Sequence, residues 1–376
     1  MLHASTPSAC SQVRRSSARP FTPSALPPAG SLSRRTASAA ILLAMSTSPA
    51  CPSPASASPA PRASIATAAA AAAPGQAAAR VAGQPANLDL LVVGPGVLGS
   101  VLGKDWLGSV EGSSATGLTN TDKSHDRLRA MGLHPATRSS LEATHGGKRY
   151  SFVAFCAPPS GSADYVADVK AALALWDGTG SFVFTSSLSV CAVDDGGQVT
   201  DAACPLVAEG AAASTDRLLG AEKAVIEGGG NVLRLVGLYH ANRGAHTFFI
   251  KQGTVARPAD YLVNLLHYED AAGMAAAILR GDGSGPFRGR VFLGTDGHPI
   301  SFGDMVEACF SSGVFPRVPV AFTGTFPENG QGRGKRVDNS ASRAALGGWA
   351  PRYASFASFM AQGQGKDFYN TSGLGF

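Results

Sequence analysis

From Leu88 onward, short apolar runs alternate with stretches in which apolar residues recur every three or four positions. That alternation of buried strand and amphipathic helix predicts a parallel sheet with helices on both faces. The runs predict strands over Leu90–Val93, Ser114–Leu118, Ser151–Cys156, Ser181–Ser187, Asn231–Val236 and Arg290–Leu293. The helical spacing predicts helices from Val97, over Ser124–Met131, Ala163–Trp176, Thr215–Glu227 and Asp270–Leu279. Ser301, with Asp304 three residues on, predicts a capped helix start. After Leu238 the pattern breaks into glycine, proline and short elements. The expectation is therefore an α/β chain, a Rossmann-type doubly wound parallel sheet over residues 88–350. Its small C-terminal substrate lobe lies mainly in 239–350, and a loose tail follows over 363–376.

The first strand runs straight into Gly94-Pro-Gly96-Val97-Leu98-Gly99, and an apolar helical pattern follows with Val101 and Leu102. A Gly-x-Gly-x-x-Gly that closes a strand and opens a helix is the dinucleotide fingerprint. The first glycine allows the tight turn, the second a close approach of backbone to pyrophosphate, the third close helix–sheet packing. The phosphates are expected on the backbone of Gly94, Gly96, Val97, Leu98 and Gly99, at the helix N-terminus. Ala157 and Pro158, after the strand ending at Cys156, are expected as a rigid wall along the cofactor.

At the end of the second strand stand Thr119, Asn120, Thr121, Asp122 and Lys123. An acidic residue about 20 positions after the fingerprint favours NAD through the ribose hydroxyl. Here Thr119, Asn120 and Lys123 offer partners for a 2′-phosphate, so NADP is favoured over NAD, with Asp122 arguing the other way.

Composition changes the picture at the N-terminus. The chain has 376 residues with 31 basic and 26 acidic side chains. Residues 1–87 hold no Asp or Glu and are rich in Ala, Ser and Pro; their charges are Arg14, Arg15, Arg19, Arg34, Arg35, Arg62 and Arg80. This is the composition of an unfolded organelle transit peptide. The chloroplast stroma is the expected destination; the thylakoid lumen (Arg34-Arg35 precede an apolar stretch) and the mitochondrion are alternatives. Without those arginines 24 basic residues face 26 acidic ones. The remainder is slightly acidic, and no nucleic acid is expected as partner. No later stretch is long and apolar enough to span a bilayer. Cys156, Cys191, Cys204 and Cys309 have no metal-like spacing and are expected as buried free thiols; no metal is expected.

Four segments together resemble the extended short-chain dehydrogenase/reductase superfamily in its epimerase/dehydratase-like branch. They are Gly94 to Gly99; Phe184-Thr-Ser-Ser-Leu-Ser-Val190; Leu233-Arg-Leu-Val-Gly-Leu-Tyr239 with Asn242-Arg-Gly244; and Val263-Asn-Leu-Leu-His-Tyr-Glu-Asp-Ala271. The resemblance covers roughly Leu88 to Gly348. It implies substrate held over the C-terminal strand ends, a Tyr-x-x-x-Lys pair that moves a proton, and a Ser that orients the reacting oxygen. It also implies a possible homodimer, by family habit. Ser187, or its neighbour Ser186, matches the Ser. Aligning the family's Ala-Glu on Ala221-Glu222 puts Ser214 where the Tyr belongs and Leu218 where the Lys belongs, so the ordinary relay is absent.

Substitutes are sought among polar groups after the next strand. Tyr239 is a candidate proton donor, against a packing role. His240 has a side chain suited to general acid/base work. Arg243 is a candidate clamp for an anionic substrate. His267 is expected to order a loop and Asp270 to cap a helix. Arg234 is expected as the buried partner of Glu222. The expected function is an NAD(P)-dependent oxidoreductase or epimerase acting on an unidentified small metabolite. The alternative is a non-catalytic NAD(P)-binding regulator or assembly factor in the plastid.

Overall fold

The structure, a computed structural model, describes residues 87–367 other than 146, 202 and 364. The expected transit peptide lies outside the described residues.

The first half of the chain alternates strand and helix: β1 (Asp89–Val93), α1 (Val97–Ser109), β2 (Ser114–Thr119), α2 (His125–Ala130), β3 (His134–Thr137), α3 (Arg138–His145), β4 (Phe152–Phe155), α4 (Tyr165–Ala174) and β5 (Phe182–Ser187). After β5 come β6 (Asp195–Thr200), α5 (Ala213–Glu227), β7 (Asn231–Leu235), β8 (Gly237–Tyr239), α6 (Ala245–Gln252) and β9 (Thr254–Val255). The rest comprises β10 (Leu262–Val263), β11 (Leu265–His267), α7 (Tyr268–Arg280), β12 (Val291–Gly294), β13 (Ile300–Ser301), α8 (Phe302–Ser311), β14 (Ala321–Phe322), β15 (Gly334–Asp338), α9 (Ser340–Ala345) and α10 (Phe356–Gly363).

Seven strands form one parallel sheet in the order β12-β7-β5-β4-β1-β2-β3. The order reverses at β1, whose neighbours are β2 and β4, and ligands of such sheets lie outside the strand C-termini at that point. Because side chains alternate along a strand, β1 serves two cores. Leu90 and Val92 pack with Val101, Trp106, Met274 and Ile278 on the face covered by α1 and α7. Leu91 and Val93 pack with Tyr165, Val169, Leu218 and Val225 on the face covered by α4 and α5. Both faces are buried, which is why these strands read as continuous apolar runs.

A second sheet has the order β13-β10-β15-β6, and Tyr239, Tyr261, Phe302, Phe356 and Phe359 share a third core beside it. Ser301 caps α8 as expected: its hydroxyl accepts from the Asp304 N–H at 3.0 Å. Three expectations are corrected. Cys191 and Cys204 are joined in a disulfide, not free. The tail from Gly363 is not loose as far as Asp367, which is buried and accepts from the Ala241 N–H at 2.9 Å. Residues 368–376 lie outside the described residues. The roles of His267 and Asp270 are exchanged. His267 caps α7 by accepting from the Glu269 N–H. Asp270 instead holds a loop, accepting from the N–H groups of Arg352 and Tyr353.

Candidate functional site

The β1–α1 turn sits at the switch point, and its three glycines answer to three different constraints. Gly94 has φ +75°, and a Cβ there would stand 2.6 Å from the Ala157 Cα. Only glycine combines that conformation with that contact. A Cβ on Gly99 would meet Val92 Cγ1 at 2.7 Å, so the third glycine lets α1 lie against the sheet. Gly96 differs: a Cβ there would meet nothing within 4 Å. The fold itself makes no steric demand for glycine at 96, whereas a pyrophosphate lying against the backbone would. Gly96 is the N-cap of α1 and offers no side chain to its first turn. Val97 and Leu98 turn their side chains into the core, so only their backbone faces the crevice rim.

Ala157 and Pro158 stand beside this turn. The Tyr165 hydroxyl donates to the Ala157 carbonyl at 2.7 Å and so fixes the wall from behind. At the end of β2 the Thr119 hydroxyl donates to the Ala136 carbonyl at 3.2 Å and lies 2.9 Å from His125 Nε2. Thr119 is thus engaged within the protein, while Asn120 and Lys123 are exposed. His125, not foreseen from sequence, is what orders Thr119. The only sequence signal was a polar cluster at the strand end.

Ser187 ends β5, is half-buried, and accepts from the Ser189 N–H at 3.2 Å, which leaves its own proton to donate. Ser186 points elsewhere: its hydroxyl donates to Glu222 Oε1 at 2.5 Å, and Arg234 closes on the same carboxylate at 2.7 Å. Of the two serines only Ser187 remains for chemistry at the strand end. Ser214 lies half-buried in the first turn of α5 and Leu218 is buried one turn on. Neither supplies a phenol or an ammonium.

The substitutes fare differently from expectation. Tyr239 is fully buried, edge-on to His267, Phe356 and Phe359. Burial, with Asp296 and Asp270 nearby, pushes its hydroxyl far above the ordinary phenol range. These are the surroundings of a packing residue, the reading weighed from sequence beside that of proton donor. His240 is also buried, which pushes its imidazole down to about 4. Its Nδ1 accepts from the Asn242 N–H, so at neutral pH the ring is neutral with its proton on Nε2. His240 and Arg243 exchange backbone hydrogen bonds in a tight turn. Arg243 is half-buried, and its Nε donates to the Tyr268 hydroxyl at 3.2 Å. Among the described residues, no group of three or more His, Cys, Asp or Glu side chains could hold a metal ion. No helix there is long and apolar enough to cross a membrane.

No protein-family model matches the chain. No curated protein matches it either. Solved structures do. A dTDP-glucose 4,6-dehydratase from Bacillus anthracis, in complex with NAD, aligns with TM-score 0.60 at 13% identity, covering 77% of this chain and 100% of that one. A functionally unknown conserved protein from Silicibacter pomeroyi aligns with TM-score 0.58 at 20% identity, covering 74% and 99%. A putative NAD-dependent epimerase/dehydratase from Methylobacillus flagellatus aligns with TM-score 0.55 at 20% identity, covering 74% and 97%. The chain thus has the Rossmann-type fold of the NAD-dependent epimerases and dehydratases.

Proposed function

We propose that this chain binds NAD(P) and acts as an oxidoreductase or epimerase-like protein on a small metabolite. The observation that carries the reading is Gly96, a glycine facing open space between two glycines that the fold itself requires. Two of the three similar structures described above have NAD in the name, one of them as a complex. When bound, a nicotinamide gives or takes a hydride. This chain's residues would hold the pyrophosphate on the α1 N-terminus and wall the cofactor with Ala157 and Pro158. Asn120 and Lys123 favour NADP over NAD by offering a 2′-phosphate a donor and a cation. Ser187 would orient the reacting oxygen by donating its proton, and Arg243 would meet an anionic group.

A second reading, a non-catalytic NAD(P)-binding regulator or assembly factor, is favoured by one observation. Leu218 and Ser214 stand where the resemblance puts the relay, and Tyr239 and His240 are both buried. The acid-free, arginine-bearing N-terminal segment supports a chloroplast location, stroma first.

Titration of the full chain with NADH and NADPH, followed by nicotinamide fluorescence, tests the site. Binding that Gly96→Ala removes, with its melting temperature unchanged, supports it. No binding by folded protein overturns both readings. A hydride-transfer screen with Ser187→Ala as control separates them.

A further inference from the structure

The Cys191–Cys204 disulfide joins two segments directly behind the Ser187 turn. Cys191 follows the single 3₁₀ turn Leu188–Val190 and is buried, whereas Cys204, beyond β6, is half-buried. The two segments are already paired by backbone. The Ala192 N–H donates to Pro205 at 2.7 Å and the Val207 N–H to Val190 at 2.9 Å. The covalent bond therefore locks an arrangement that hydrogen bonds and packing bring about. Around it Leu188, Val199, Leu293 and Val337 form a small apolar core that ties the turn to β6, β12 and β15. Into this core reaches one cation. Lys335 is buried, and its Nζ donates to the carbonyl of Cys191 at 2.7 Å. The Lys335 ammonium thus meets the backbone of the residue at the buried end of the bond, with burial pulling its pKa down to about 8 and Asp194 opposing that, and the other end is half-buried.

We propose that Cys191–Cys204 is a thiol–disulfide exchange site, opened by a dithiol reductant with the help of Lys335, and that its state sets how firmly the Ser187 turn is held. A thiolate of the dithiol attacks Sγ of Cys204, the less buried of the two residues. The Sγ–Sγ bond breaks and Cys191 leaves as thiolate with the electron pair. The dithiol's second thiolate then attacks its own sulfur in the mixed disulfide and releases Cys204 as thiolate. The two protons given up by the dithiol end on Cys191 and Cys204. The dithiol is oxidised to a disulfide by two electrons, and the protein disulfide is reduced by the same two. A leaving thiol departs faster as its pKa falls, and a nearby ammonium lowers it. Once the bond is open, β6 keeps its strand pairing, the packing of Val199 and the hydrogen bonds to Asp194 and Asp201, but loses its covalent tie to the Ser187 turn.

The test uses the full oxidised chain, treated with dithiothreitol without denaturant and quenched with iodoacetamide. We expect both Cys191 and Cys204 to become alkylated while the circular dichroism is unchanged, and Lys335→Met to slow this at least threefold. We expect an Asp-specific protease to nick the reduced chain at Asp194, Asp195 or Asp201 several-fold faster than the oxidised one. Cys204→Ser, which fixes the open state, should weaken NADH or NADPH affinity threefold or more. That cofactor readout rests on the dinucleotide reading above; the thiol and protease readouts do not, so the two ideas fail separately. Alkylation only in urea, an equal rate in Lys335→Met, or equal nicking of both forms would each overturn the proposal. Should Lys335→Met not fold, the wild-type alkylation and nicking decide it.

Discussion

Glu222 and Arg234 meet at 2.7 Å in the interior, with less than a tenth of either side chain exposed. Ser186 adds a further hydrogen bond to the same carboxylate. The group lies between α5 and the C-terminal half of β7, beside the strand that carries Ser187. Removing one partner leaves an uncompensated charge in a dry interior, at a cost of about 3–5 kcal/mol. Arg234→Met is therefore expected to lower unfolding free energy by about that amount in urea titrations. Arg234→Met combined with Glu222→Met should recover much of the loss. Equal losses in the single and double variants would contradict a paired role.

The glycine turn separates stability from binding. Gly94→Ala puts a side chain at φ +75° and within 2.6 Å of Ala157. We expect it to cost about 2–3 kcal/mol through backbone strain and the clash. Gly99→Ala presses on Val92 at 2.7 Å and should cost about 1–3 kcal/mol by overpacking. Thermal and urea unfolding measure both. A Gly94→Ala chain as stable as wild type would mean that the turn is not held as described.

Acid and base limits of stability trace to particular buried groups. Burial raises Asp296 from 3.8 to about 7 and lowers His240 and His246 to about 4. A carboxyl raised on folding keeps its proton where the unfolded chain has lost it. It therefore withdraws stability progressively as pH rises from about 4 to 7. The two histidines act oppositely: their stability is full above the unfolded value of 6.5 and is lost as pH falls toward 4. Over that window wild-type stability should rise with pH, with Asp296 opposing the rise. Asp296→Asn should make it steeper, seen as urea midpoints at pH 4.5, 5.5, 6.5 and 7.5. An unchanged slope would show that Asp296 does not hold a proton in the folded chain.

Cofactor choice should respond to Lys123, exposed at the end of β2. One charge-assisted contact to a phosphate at an exposed site is worth about 1 kcal/mol, or about fivefold in affinity. Lys123→Ala is thus expected to weaken NADPH binding about fivefold and leave NADH binding unchanged. A parallel loss for both cofactors would assign Lys123 to a part that both share, such as the pyrophosphate, and no loss for either would remove it from the site.

Much of the sheet was legible because strands buried on both faces cannot hide. Leu90–Val93 serves two cores at once and has no polar position to spare. The pairing of Arg234 with Glu222 was legible for a related reason, since a charge inside an apolar strand must find a partner. The lobe was less legible. Phe356 and Phe359 pack on Tyr239 across more than a hundred residues, and no local periodicity announces that. Cys191 and Cys204 lie 13 apart with β6 between them, a spacing that carries no motif. His267 and Asp270 both read as helix-start residues. Which one caps α7 depends on where Arg352 and Tyr353 arrive, far along the chain. At the candidate site the glycines declared themselves through their spacing. The burial of Tyr239 and His240 did not, because a residue just past a strand end reads as solvent-facing until the rest of the lobe folds over it.

Asp367 reaches back 100 positions to His267 and 126 to Ala241, and all three are buried. On a ribosome, the seven strands of the main sheet have all been made by Gly294, yet this junction must wait for some seventy further residues. A nascent chain therefore carries every strand of the main sheet before the lobe's last contacts can form. The order of synthesis makes the sheet and its glycine turn first and the enclosure around His240 and His267 last.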